Sequence, residues 1–132
     1  SGVIDAICSD HQPHGLDAKL APFSESSPGI TGLETLLSLM LKLVNENVLP
    51  LSDALAKVTI NPARILNIDV GHLTPGAPAD VCIFDPDATW LVDATSLQSR
   101  GSNTPFDGTL LSGVVDTVLI AGRIRLNLTS PT

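Results

Sequence analysis

Hydrophobic and polar positions divide the chain into two parts with different periods. Residues 3–8 form an almost unbroken apolar run, the pattern of a strand covered on both faces. Residues 9–31 have no helical or strand period and are punctuated by Pro13, Gly15, Pro22, Pro28 and Gly29. A loop of roughly twenty residues in a compact domain is either functional or disordered, and the Asp and His content at its start favours function. Thr31-Gly32-Leu33-Glu34 reads as a capping box, opening a helix predicted over 32–45. Leu33, Leu36, Leu37, Met40, Leu41 and Val44 recur there at three- and four-residue spacings, while Leu39 and Leu43 widen the stripe. Met40 and the leucines therefore read as core packing. Ser52 is predicted to cap a second helix running through Val58, and Asn61-Pro62 to open a short third one.

The pattern changes after Asp69. Gly71, Pro75, Gly76 and Pro78 lead into a strand predicted over 80–85, and Asp85-Pro86-Asp87 turns into a second over 89–92. Residues 99–108 are polar and rich in turn formers. Two further strands, 114–121 and 123–128, meet at Ala121-Gly122, which suits a tight hairpin. The predicted class is α/β, with one strand and three helices over 1–69 and a β-rich unit over 70–132. Internal repeats and low-complexity segments are absent.

Composition narrows the function classes. A net charge of −7 leaves no basic stripe for nucleic-acid phosphates. No apolar run approaches the roughly 20 residues that span a bilayer. Cys8 and Cys82 lie in apolar runs without a CxxC pair and read as buried free thiols of a cytoplasmic protein. Asn127-Leu128-Thr129 matches a glycosylation acceptor, which that compartment would leave unused. The apolar content of 43% is high beside a charged fraction of 16%, and the chain starts without Met, almost inside a strand. Both features suggest a piece of a longer polypeptide with surface meant for a partner. A tag scar before a complete small domain is the alternative.

Ser9-Asp10-His11-Gln12-Pro13-His14 concentrates the candidate chemistry, a carboxylate and two imidazoles just beyond the predicted strand. Parallel α/β sheets and barrels carry their chemistry at that strand end. Asp and His also suit zinc and similar cations. From spacing alone, Asp10 capping the loop with the histidines at its surface or bridging turns is the favoured reading, ahead of a catalytic or metal role. Pro28-Gly29-Ile30 precedes a helix N-terminus, where an anion or polarised carbonyl is favoured, although Gly29 also suits a plain turn. Glu34 is better explained as a capping partner than as an acid–base, and His72 as a turn residue. Asn103-Thr104-Pro105-Phe106 could form a buried turn or touch a neighbouring domain.

Taken together, these segments resemble the C-terminal portion of a dihydroorotase, a cyclic amidohydrolase of the amidohydrolase superfamily. Ser9-Asp10-His11-Gln12-Pro13-His14, Pro28-Gly29-Ile30-Thr31-Gly32-Leu33-Glu34-Thr35 and Asn61-Pro62-Ala63 occur in the family's order. They are followed by Gly71-His72-Leu73-Thr74-Pro75-Gly76-Ala77-Pro78-Ala79-Asp80 and Asn103-Thr104-Pro105-Phe106-Asp107-Gly108. The Asp-His-x-Pro-His and Asn-Thr-Pro-Phe motifs are the specific ones; Gln12 stands where alanine is common. The resemblance implies the end of a TIM-like (β/α)8 barrel, its last strand and helices, followed by part of a small β-sandwich domain. It implies Asp10 as zinc ligand and as the catalytic base that hands its proton to the leaving nitrogen. It further implies His14 at the substrate carboxylate and Pro28 and Gly29 against the dihydropyrimidine ring. The reaction would interconvert N-carbamoyl-L-aspartate and dihydroorotate in pyrimidine biosynthesis. The family's His-x-His pair, lysine and further metal histidines belong to earlier strands, so the piece alone is expected to be inactive, without a tight metal site. The rest of the barrel or another chain is the expected partner. A non-catalytic dihydroorotase-like subunit supporting aspartate transcarbamoylase and a hydantoinase or allantoinase are the alternatives.

Overall fold

The computed structural model describes residues 2–127. A 3₁₀ turn, Leu16–Lys19, precedes helices α1 (Leu36–Asn45), α2 (Leu51–Val58) and α3 (Ile60–Ile65). Strands β1 (Val81–Leu91), β2 (Leu110–Ile120) and β3 (Arg123–Asn127) follow, in one antiparallel sheet of order β1-β2-β3. The last predicted strand residue, Leu128, and the rest of the glycosylation acceptor lie outside the described residues.

The leucine stripe does form α1, with Met40 and Leu41 buried. The capping box does not form. Thr31 and Glu34 are drawn instead to the distant 98–103 segment, and α1 starts four residues later than predicted, at Leu36. Both α1 and α3 end on an asparagine in the left-handed region, Asn47 (φ 57°) and Asn67 (φ 55°). Val48 N–H then bonds Leu43 O and Ile68 N–H bonds Ala63 O, satisfying carbonyls that the last turn leaves free. Ser52 does not cap α2, which starts one residue earlier behind Pro50. Asn61 lies within α3 and spends its amide on the Asp5 carbonyl, 2.8 Å away.

The two strands predicted over 80–92 are one strand with an irregularity between Asp85 and Thr89. There Asp85 Oδ1 accepts from the Asp87 and Ala88 N–H groups, so the turn is absorbed without ending the ladder. Opposite it, Gly113 (φ 96°) lies under Leu41, whose Cδ1 an added Cβ would meet. The close approach lets Ser38 donate to Gly113 O at 3.2 Å and accept from the Trp90 indole at 3.0 Å. The Ala121-Gly122 hairpin forms as predicted, both residues at positive φ, and the Asp80 carboxylate accepts the Ala121 N–H.

Residues 3–8 depart from the expected strand: they are extended but join no sheet among the described residues. Ile7 N–H bonds Lys57 O at 2.9 Å and Lys57 Nζ reaches the Ile4 carbonyl, tying the segment to α2, while the Asn61 amide ties it to α3. A strand forms only where a neighbour supplies a ladder of N–H and C=O groups, and the helices offer a few isolated ones. Cys8 and Cys82 are free but exposed, not buried as expected. Partial burial still pushes the Cys82 thiol above its usual range. No described helix is long and apolar enough to cross a membrane.

Candidate active site

Asp10 lies exposed at the head of the loop with its backbone in the left-handed region (φ 42°), which Asp tolerates better than most residues. The Gln12 amide stands 3.4 Å from both carboxylate oxygens. From here the 9–14 and 28–32 segments run side by side. Gln12 N–H bonds Ile30 O at 2.8 Å within an isolated parallel bridge between His11 and Ile30. Gly29 (φ 92°) lies beneath Gln12; a Cβ there would fall 2.6 Å from Gln12 Oε1.

The two histidines of the motif do different things. His11 Nδ1 accepts the backbone N–H groups of Gly32 and Leu33 at 3.2 and 3.3 Å. It therefore supplies the acceptor for the turn before α1 that the capping box was expected to supply. His14 Nε2 lies 3.2 Å from the Pro28 carbonyl. A carbonyl can only accept, so this contact places a proton on Nε2 and orients the ring beside Pro28-Gly29. Asp10, His14, Pro28 and Gly29 thus lie on two loops joined to each other.

What joins them most tightly is Asn103, whose place the sequence left open. It is 7% exposed and uses the full capacity of its amide. Oδ1 accepts the His14 N–H and the Thr31 hydroxyl, each at 2.7 Å. Nδ2 donates to Gln12 O at 3.0 Å and Gly29 O at 3.2 Å. Ser102 N–H adds a bond to His14 O, and Gly101 packs so closely that a Cβ would lie 2.6 Å from Pro13 C. Glu34 holds the same loop from the other side, accepting the Gln98 and Ser99 N–H groups and the Ser99 hydroxyl. A polar residue at a Thr-Pro turn was the only local signal for Asn103, because its partners lie up to 91 positions away. His72, by contrast, contacts Asp69 at 3.0 Å in its own turn, as the sequence suggested.

Among the described residues, no group of three or more His, Cys, Asp or Glu side chains is placed to hold a metal ion. Asp10 offers a carboxylate suited to be one ligand, whereas a catalytic zinc takes about three protein ligands and an open position. The described residues therefore do not by themselves make a metal centre.

The family model "Amidohydrolase family" matches residues 1–125. The chain belongs to the amidohydrolase family. Within that family it is 48% identical over 123 residues to a dihydroorotase of Syntrophus aciditrophicus (strain SB), covering 93% of this chain and 29% of the relative. It is also 45% identical over 124 residues to a dihydroorotase-like protein of Pseudomonas putida, covering 94% of this chain and 29% of that protein. The solved L-hydantoinase (dihydropyrimidinase) from Arthrobacter aurescens superposes with a TM-score of 0.89 at 29% identity, over 99% of this chain and 30% of that one. This amidohydrolase chain thus spans about 29% of the length of the curated relatives it matches.

Proposed function

We infer that this chain is the C-terminal part of a zinc-dependent dihydroorotase. The observation that carries the reading is the 48% identity to a dihydroorotase across 93% of the chain, the site loops included. In this reading residues 1–69 end a (β/α)8 barrel and residues 70–132 belong to a small β-sandwich. Residues 3–8 are the last barrel strand, with the remaining metal ligands on earlier strands. The exposure of Val3 (82%) and Ile4 (60%) supports a covering partner for that strand, which the rest of the barrel would provide.

Asp10 would be one of the residues holding the zinc. When bound, the metal polarises the ring amide carbonyl and makes hydroxide available near neutral pH. Asp10, exposed at its loop, takes the proton as hydroxide attacks that carbonyl and delivers it to the ring nitrogen as the C–N bond breaks. The ring is thereby opened to N-carbamoyl-L-aspartate, and the reverse sequence closes it. His14, oriented by Pro28 O, faces the substrate carboxylate, and Pro28-Gly29 packs against the dihydropyrimidine. The chain alone, with one metal ligand, is inactive, and its setting is the cytoplasm.

Turnover of dihydroorotate and hydantoin by the zinc-loaded full-length protein tests the reading. It predicts dihydroorotate turnover and little or none of hydantoin; the opposite preference would make the protein a hydantoinase. The alternative reading is a non-catalytic subunit supporting aspartate transcarbamoylase. It predicts turnover of neither substrate.

A further inference from the structure

We propose that Asn103 is the positioning residue of this active site, holding the substrate-binding loops at a fixed separation. The proposal rests on the dihydroorotase reading, because it takes His14 and Gly29 as the substrate-binding wall. Three segments far apart in sequence, 12–14, 29–31 and 101–103, meet at one buried amide. Its oxygen faces two donors and its nitrogen two carbonyls, so the environment fixes the amide's orientation and saturates all four of its hydrogen-bonding capacities. The His14 N–H and the Gly29 carbonyl are bonded to opposite ends of that amide group. A shift of the amide therefore moves His14 relative to Gly29 within that wall. Nothing in the arrangement places Asn103 against the substrate. It acts through His14 and Gly29.

The bonding separates this role from general support of the fold. Asn103 bonds neither Asp10 nor any group of the helices or the sheet; its side-chain partners all belong to the two loops. Losing it should therefore loosen substrate binding more than the proton transfer at Asp10. Misplacement of binding groups by about 1 Å can cost on the order of a hundredfold, while loss of interactions common to ground and transition states raises KM with kcat unchanged.

Steady-state kinetics of the full-length zinc-loaded enzyme on dihydroorotate provide the test. Asn103→Ala should raise KM about ten- to a hundredfold and leave kcat, per folded molecule, within about threefold. Should that variant not fold, Thr31→Val carries the test, since it removes the hydroxyl that lies 2.7 Å from Asn103 Oδ1 and 3.1 Å from Gly101 O while keeping the shape. It should raise KM about threefold or more, and Thr31→Ser, which retains the hydroxyl, should restore it. An unchanged KM with kcat falling only as the folded fraction falls would make Asn103 a structural residue and overturn the proposal. A wild type that does not turn over dihydroorotate would overturn the functional reading and this proposal with it.

Discussion

Residues 3–8 and 9–14 are neighbours in sequence and opposites in structure. The 9–14 loop finds its partners within the chain: Gln12 N–H on Ile30 O, His11 Nδ1 on the turn before α1, and His14 N–H on Asn103. The 3–8 run touches α2 and α3 through one backbone bond and two side-chain donors, Lys57 and Asn61, and leaves Val3 and Ile4 facing solvent. The difference follows from what each stretch needs. An irregular loop can be satisfied by single side chains that reach it, as Asn103 does. An apolar strand needs a continuous ladder beside it and apolar layers on its faces. The wall of the candidate site is thus self-supporting, while the strand-like run before it leaves Val3 and Ile4 uncovered.

Disturbing each side should show this asymmetry. The larger effect is expected at Gly101, where an added Cβ meets the backbone of Pro13 and His14. Gly101→Ala should cost about 1–3 kcal/mol in urea unfolding, because backbone atoms cannot rotate away as a side-chain end can. A cost near zero would mean the loops are looser than the hydrogen bonding indicates. The smaller effect is expected at Ile4, which is 60% exposed. Ile4→Ser should change the stability of this 132-residue chain by no more than about 0.5 kcal/mol. In the full-length protein the same change should cost about 1.5–3 kcal/mol, as for burial of a whole aliphatic side chain. Equal effects in the two settings would contradict a covered strand.

The elements legible in the sequence were those with local causes. The leucine stripe specifies α1, Asn61-Pro62 marks the existence of α3, which starts two residues earlier at Ile60 behind Thr59, and Ala121-Gly122 specifies its hairpin. Caps and breaks were misread where a distant partner intervenes. Thr31 and Glu34 have capping-box spacing, but their hydrogen bonds go to residues 64 to 72 positions away. Asp85-Pro86-Asp87 has turn chemistry, yet pairing with β2 carries β1 through it. The same division runs through the site. The Asp-His-x-Pro-His motif was visible at once, whereas the structural work of His11 and the central place of Asn103 depend on residues 21 to 91 positions away.

The central claim is that the loop headed by Asp10 is one wall of a dihydroorotase site. The most direct test is dihydroorotate turnover by the full-length, zinc-loaded protein carrying Asp10→Asn, compared with wild type. The account predicts an active wild type and a fall of at least about a hundredfold in kcat for the variant, with the fold intact by circular dichroism. Wild-type turnover retained to within threefold in Asp10→Asn would contradict it.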